Sequence, residues 1–200
     1  MRTVALLATL VVQAALAACG GSARAPSTAP ASTAPPTATG PSALQAEATA
    51  AAAGDIPDNQ VFLTFHDAAA RYSIKYPEGW AQQGSGPALT FRDKNNIVRV
   101  VVATGAAPDK ASVRRDVAAL QGATVKSGPQ ELTVSGAPAF KVVYTTESAP
   151  NPVTGKRVTL VVDRYYLWHA GKRAVVDLGT PVGVDNVDAY RLMIQSFRWR

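Results

Sequence analysis

Residues 20–54 consist almost entirely of alanine, proline, serine, threonine and glycine, and this segment most constrains what the chain can fold into. A segment with so few large apolar side chains buries too little surface to offset the entropy lost on ordering. We therefore expect a disordered linker, in which the alanine-rich stretch 44–53 can form a transient helix. The packed domain is confined to residues 55–200, enough chain for one hydrophobic core.

The first 18 residues have the pattern of an export signal. Arg2 supplies a positive charge, and the apolar run 4–12 is too short for a membrane-spanning helix, which needs about 20 residues. The run is followed by Leu16-Ala17-Ala18-Cys19, which resembles the bacterial lipobox, and Cys19 is the only cysteine of the chain. A plain secretory signal with an incidental cysteine is the alternative.

The lipobox resemblance implies that the thiol of Cys19 receives a diacylglyceryl group and that Cys19 becomes the new N-terminus. Two acyl chains on one residue give stable membrane attachment. The predicted organisation is a signal peptide at 1–18, lipidated Cys19 with its linker to residue 54, and a globular domain at 55–200. The protein is then expected on the extracytoplasmic side of the cell membrane, held there by membrane lipid. With no second cysteine, its domain depends on its core rather than on disulfides.

Strand-like runs separated by turn residues dominate the chain after residue 60. The predicted strands are 61–65, 72–76, 88–92, 97–103, 130–134, 139–145, 158–168 and 173–178. Residues 169–172 predict a tight hairpin between the last two. Two amphipathic helices are predicted, one capped by Asp109 and one by Asp185. The result is an α+β domain, with a mostly antiparallel sheet of six to eight strands flanked by helices.

Two motifs of this domain resemble the PsbP-like proteins. The first motif resembles the opening strand and turn of that family and runs from Tyr72 to Trp80, Tyr-Ser-Ile-Lys-Tyr-Pro-Glu-Gly-Trp. The second resembles the end of the family's sequence and consists of Ser196-Phe197-Arg198. The resemblance covers residues 61–200 and implies an α/β/α sandwich. It implies fold more than function, because one fold hosts unrelated sites. The family includes many bacterial lipoproteins.

Sequence motifs of common enzymes are missing from the chain. It has no Gly-x-Ser-x-Gly, no phosphate-binding glycine loop and no His-Glu-x-x-His, and Cys19 is assigned to the lipid. We therefore predict a protein that is not an enzyme, with no catalytic residues, no cofactor and no metal site. An uncharacterised hydrolase is a less favoured alternative; its candidate residues are His66, His169, Asp163 and Asp177, which nothing in the sequence places together.

Aromatic residues and charge suggest what the domain could bind. Tyr76, Trp80, Tyr166 and Trp168 are candidates for a ligand surface, although core packing is the alternative for such residues. Residues 55–200 carry 18 lysines and arginines against 13 acidic residues, a net charge of +5. Such a charge favours anionic lipid or polymer, but the basic residues are too scattered for nucleic acid.

The sequence as a whole predicts a non-catalytic binding, scaffolding or assembly role, with an envelope protein or a glycan as the partner. A domain that binds a hydrophobic or glycan molecule, in a pocket between sheet and helix, is the alternative.

Overall fold

The computed structural model describes residues 42–151 and 153–200. The predicted signal peptide, Cys19 and the linker up to residue 41 lie outside the described residues. The helices are α1 (Ala43–Ala53), α2 (Lys110–Ala118) and α3 (Val187–Gln195). The strands are β1 (Phe62–Asp67), β2 (Tyr72–Pro77), β3 (Ala81–Ser85), β4 (Ala88–Asp93), β5 (Asn96–Thr104), β6 (Thr124–Val134), β7 (Ala137–Glu147), β8 (Thr159–His169), β9 (Lys172–Pro181) and β10 (Arg198–Trp199).

The last part of the predicted linker is helical. Seven of the eleven residues of α1 are alanine, the residue with the highest helix propensity. Ser42 and Gln45 bond reciprocally at its start: the Gln45 amide donates to the Ser42 hydroxyl at 3.3 Å, and the Ser42 amide to Gln45 Oε1 at 3.1 Å. This arrangement is a capping box, and the helix lies in the stretch of the predicted linker where the sequence allows a transient helix.

Two antiparallel sheets form the β part of the fold. The large sheet has the strand order β3-β4-β5-β9-β8-β7-β6, and the small sheet has the order β1-β2-β10. The prediction of a mostly antiparallel α+β domain is confirmed. The predicted strands 61–65 and 72–76, however, belong to the small sheet rather than to the large one.

The main core lies between the two sheets, with α3 closing it. Tyr72 and Ile74 of β2, Val100 of β5, Val176 of β9 and Met193 of α3 are fully buried in one cluster. A second cluster lies beneath α2, on the opposite face of the large sheet, and consists of Val113, Val117, Val142 and Tyr166. The alternation of strand β8 sends Tyr165 to the first cluster and Tyr166 to the second.

Two N-cap residues were predicted, Asp109 for α2 and Asp185 for α3, and the structure shows which residues take these positions. Asp109 caps α2 as predicted, because its carboxylate accepts from the Ser112 amide at 2.6 Å and the Ser112 hydroxyl accepts from the Asp109 amide at 3.0 Å. The cap of α3 is Asn186 instead of the predicted Asp185. The Asp185 carboxylate still accepts one bond, from the amide of Val187 at 3.2 Å.

Candidate functional site

The four aromatic residues predicted as a ligand surface are not brought together. The ring of Tyr76 stacks on Phe91 with ring centroids 4.0 Å apart and planes at 9°, and Trp80 is buried in the main core. Tyr166 has no exposed surface, because α2 covers it. Trp168 keeps 38% of its surface exposed and donates from Nε1 to the main-chain oxygen of Gly105 at 3.1 Å. These residues therefore stabilise the fold on two separate faces of the large sheet.

The histidines do not form a catalytic arrangement with the predicted aspartates. His66 is exposed on the small sheet, and His169 is exposed on the hairpin between β8 and β9. Asp67, beside His66 in sequence, is buried and accepts from the amides of Ala70 at 2.5 Å and Gly86 at 2.8 Å. Its carboxylate therefore holds two turns together.

The other two acids of the hydrolase alternative are both paired with cations. Asp163 binds the ammonium of Lys141 at 2.6 Å. Asp177 binds Arg164 through two hydrogen bonds, of 2.6 and 2.8 Å, in a buried pair. Across the residues that the structure describes, no three His, Cys, Asp or Glu side chains are grouped as metal ligands would be. The hydrolase alternative therefore has no assembled site among these residues.

The buried pair is reinforced by an aromatic ring. The Arg164 guanidinium lies 5.4 Å from the ring centroid of Tyr144. Burial alone lowers the pKa of Arg164, but the hydrogen bond and charge of Asp177 outweigh it and raise that pKa above its ordinary value. Burial, and then the charge of Asp177, raises the pKa of Tyr144 to about 12. The Arg164 guanidinium therefore stays charged at neutral pH, and its buried pair with Asp177 has a structural role.

An open cleft of about 660 Å³ lies where the linker joins the domain. Four aspartates contribute to its walls, and four apolar residues add a hydrophobic surface. The aspartates are Asp55, Asp58, Asp185 and Asp188, and the apolar residues are Ile56, Phe62, Ala189 and Leu192. We call this the acidic cleft.

A buried polar network holds the two sides of the acidic cleft together. The Asn186 Nδ2 atom donates to the main-chain oxygen of Gly54 at 3.1 Å and to Thr180 Oγ1 at 2.9 Å, and Oδ1 accepts from the amide of Ile56 at 2.8 Å. Asn96 also donates to the Gly54 oxygen. The segment that follows α1 is therefore fixed against the start of α3, which makes the cleft a built feature of the domain.

The acidic cleft carries uncompensated negative charge. Asp188 is paired with Arg191 at 3.0 Å, in a highly exposed contact. Within the described ranges, no lysine or arginine lies within 4.0 Å of Asp55, Asp58 or Asp185. Such a local excess of negative charge, in a domain whose net charge is positive, attracts a cationic group.

The sequence does not reveal this cleft, because its two halves lie far apart in the chain. The available signal was the repeated Asp-x-x-Asp spacing, which occurs at Asp55 and Asp58 and again at Asp185 and Asp188. Nothing in the sequence brings the two pairs together, since their proximity depends on the hydrogen bonds of Asn186.

The predicted anchor at Cys19 lies outside the described residues and stays a prediction. None of the helices in the described part of the chain is both long enough and apolar enough to cross a membrane.

The domain has a PsbP-like fold. No protein-family model matches the sequence, and no curated protein sequence matches it either. Solved structures do match. The solution structure of cyanobacterial PsbP (CyanoP) from Synechocystis sp. PCC 6803 has a TM-score of 0.51 at 14% identity, over 74% of this chain and 98% of that one.

Two further structures have lower similarity. A crystal structure from Bacteroides thetaiotaomicron VPI-5482 has a TM-score of 0.45 at 13% identity, over 68% of this chain and 48% of that one, so this chain spans about half of its length. The Ran-binding protein Mog1p of Saccharomyces cerevisiae has a TM-score of 0.43 at 13% identity, over 70% of this chain and 96% of that one. At 14% identity, the similarity to cyanobacterial PsbP establishes the fold alone.

Proposed function

We propose that this chain is a lipid-anchored, extracytoplasmic protein with a non-catalytic binding or assembly role, and that the acidic cleft holds its partner. The partner is a segment of an envelope protein that carries basic and apolar side chains. The anchor is supported by the Leu-Ala-Ala-Cys19 sequence, and the fold is compatible with a binding domain.

The observation that carries the proposal is the combination of charge and apolar surface in one open cleft. Unpaired carboxylates supply attraction for lysine or arginine, and Phe62 and Leu192 supply surface for an apolar side chain. Leu192 leaves 40% of its surface exposed, so it offers apolar contact area to a partner. A cleft that is open to solvent suits a chain segment better than an enclosed small molecule.

The alternative of a pocket between sheet and helix is less well supported. Core side chains, including Met193 and Ile194 of α3 and Val98 of β5, occupy the space between α3 and the large sheet. A hydrophobic ligand would have to displace close-packed side chains there, which would lower the stability of the folded domain. The open cleft requires no such displacement.

The anchor is tested on protein isolated from its native membrane. We expect mass spectrometry to find a mature N-terminus at Cys19, with a mass increased by a diacylglyceryl group. The Cys19→Ser variant is expected to leave the membrane fraction. An unmodified chain that begins elsewhere would overturn the anchor but leave the proposal for the cleft intact.

The cleft is tested by photo-crosslinking in intact cells. A photoreactive amino acid at position 192 is expected to give one discrete adduct, whereas the same group at Val153, which is 90% exposed, should not give it. The double variant Asp55→Lys/Asp58→Lys is expected to abolish the adduct.

A charge-matched control separates the cleft from the overall charge. Glu78→Lys/Glu147→Lys changes the net charge equally at exposed positions that do not line the cleft, and should keep the adduct. An adduct that survives reversal of Asp55 and Asp58 would contradict the proposed site.

A further inference from the structure

A second open cleft, of about 440 Å³, is basic. It is lined by Arg71, His169, Ala170, Lys172, Trp199 and Arg200. The lining contains two arginines and one lysine, and no acidic side chain. We call it the basic cleft.

The basic cleft lies at the opposite end of the large sheet from the acidic cleft. Strand β5 begins at Asn96, which bonds Gly54 beside the acidic cleft, and ends at Thr104, which pairs with Lys172 of the basic cleft. The nine residues of β5 span eight steps of about 3.3 Å each, which separates these ends by roughly 26 Å. The two clefts are therefore separate sites.

Main-chain oxygens, rather than acidic side chains, position the cations of the basic cleft. Arg71 Nε donates to the main-chain oxygen of Arg200 at 3.0 Å, and the Arg200 amide donates to the Arg71 oxygen at 2.8 Å. Lys172 Nζ donates to the oxygen of Ala70 at 3.2 Å. In the parts of the chain that the structure describes, no aspartate or glutamate lies within 4.0 Å of Arg71, Lys172 or Arg200.

The backbone around the basic cleft is shaped to bring these groups together. Arg71 has a φ of 61°, in the left-handed region that side chains other than glycine rarely adopt. The hairpin Ala170-Gly171 also has positive φ at both positions, as a type I′ turn requires. The ring of His169 stacks near Trp199, with ring centroids 6.3 Å apart and planes at 25°. The site thus joins two sheets at one point of the surface.

We propose that the basic cleft binds a phosphate group, carried either by a soluble phosphorylated molecule or by a lipid headgroup. A guanidinium and an ammonium with unused N–H donors match the oxygens of a phosphate, and charge-assisted hydrogen bonds are the stronger class. Among the described residues no aspartate or glutamate side chain neutralises these cations, so an anion relieves their mutual repulsion. This inference does not depend on the acidic cleft or on the anchor.

The three tryptophans of the chain give a direct test by nuclear magnetic resonance. The full chain is made by cell-free translation without membranes, with ¹⁵N-labelled tryptophan, and is titrated with glycerol 3-phosphate. We expect the indole N–H signal of Trp199 to shift saturably, while that of Trp80, in the main core, stays in place. Sodium chloride at equal ionic strength should not reproduce the shift.

Variants show whether the shift of the Trp199 signal depends on the cationic side chains of the basic cleft. Arg71→Ala/Lys172→Ala is expected to weaken binding at least about tenfold, as the loss of charge-assisted hydrogen bonds predicts. Arg114→Ala/Arg115→Ala removes the same charge from exposed positions on α2 and should leave binding unchanged. The single variant Lys172→Gln, with an expected loss of about threefold or more, serves if the double variant does not fold.

Vesicles distinguish the two sources of phosphate. Binding to phosphatidylglycerol vesicles that falls with Arg71→Ala/Lys172→Ala, and exceeds binding to phosphatidylcholine, identifies a lipid headgroup. Saturable binding of glycerol 3-phosphate without such vesicle binding identifies a soluble ligand. No shift of Trp199 with glycerol 3-phosphate, or the same loss of binding with Arg114→Ala/Arg115→Ala, would overturn the proposal.

Discussion

The side-chain amide of Asn186 donates to the main-chain oxygen of Gly54 at 3.1 Å, across 132 positions of the sequence. The same side chain accepts from the amide of Ile56 at 2.8 Å. The residue that caps α3 therefore also fixes the point at which the linker meets the domain. Because its side chain is used in this way, it makes no capping bond to the amides of its own helix.

Replacing Asn186 with alanine tests this junction. The change leaves the Gly54 oxygen and the Ile56 amide with fewer partners in a buried place, so we expect the free energy of unfolding to fall by about 2–3 kcal/mol. Urea denaturation of the full chain measures this loss, and hydrogen exchange at the Ile56 amide should accelerate. Asn59→Ala, at an exposed position of the same cleft, should stay within about 0.5 kcal/mol. Equal effects of the two changes would contradict the role of Asn186.

The Arg164–Asp177 pair is predicted to be far more sensitive than the surface pairs. Asp177→Asn leaves a buried guanidinium without its counter-charge, and we expect a loss of about 3–5 kcal/mol in the free energy of unfolding. Glu131→Gln breaks the exposed pair with Lys110, whose atoms are 2.7 Å apart, and should cost at most about 0.5 kcal/mol. Denaturation of the two variants side by side measures the contrast, and similar losses would show that Arg164 is solvated.

Alkaline pH is predicted to unfold the domain through its buried tyrosines. Burial raises the pKa of five of the six, and that of Tyr144 to about 12; the others are Tyr72, Tyr165, Tyr166 and Tyr190. The unfolded chain ionises near pH 10, whereas folded Tyr144 keeps its proton to about pH 12. Stability is therefore unaffected below the unfolded pKa and falls as pH rises from about 10 to 12.

Tyrosinate absorbance and circular dichroism, followed together against pH, measure this effect. We expect most tyrosines to ionise along with the loss of folded structure. Ionisation of all six near pH 10, with the folded spectrum retained, would contradict the burial of these hydroxyl groups.

Gly179 is predicted to be intolerant of a methyl group. A Cβ atom there would lie 2.6 Å from Ile97 Cγ2 and 3.3 Å from Val162 Cγ2, which is closer than packed carbons allow. We expect Gly179→Ala to lower the free energy of unfolding by about 1–3 kcal/mol. Gly105→Ala is the matched change, since its Cβ would meet nothing closer than Arg173 Cβ at 4.0 Å. Thermal melts of both variants measure the difference, and a stable Gly179→Ala would mean that Ile97 readily moves aside.

Local patterns in the sequence predicted the elements that local interactions determine. Alternating apolar residues predicted β2, and Asp109, as an N-cap residue, predicted the start of α2. The hairpin at 169–172 was predicted from its turn residues, and its two central residues have the required positive φ. Each of these features depends on residues a few positions apart.

Other features depend on distant parts of the chain, and the sequence does not reveal them. Strand β3, Ala-Gln-Gln-Gly-Ser, has no β-branched or aromatic residue and forms because it pairs with β4. The alternation of side chains along β8 shows that Tyr166 and Trp168 lie on the same face of the sheet. It does not show that α2 covers Tyr166. The acidic cleft likewise requires Gly54 and Asn186 to meet.

The strand order of the large sheet has a consequence for how the chain folds. Strands β3 to β5 form one run of successive hairpins, and β6 to β9 form another. The two runs meet only where β5 pairs with β9, and the nearest pairing there, Thr104 with Lys172, closes a loop of 67 residues. Loop closure of this length delays the pairing until both runs have formed. Formation of the β5–β9 pairing is thus expected to set the rate of folding.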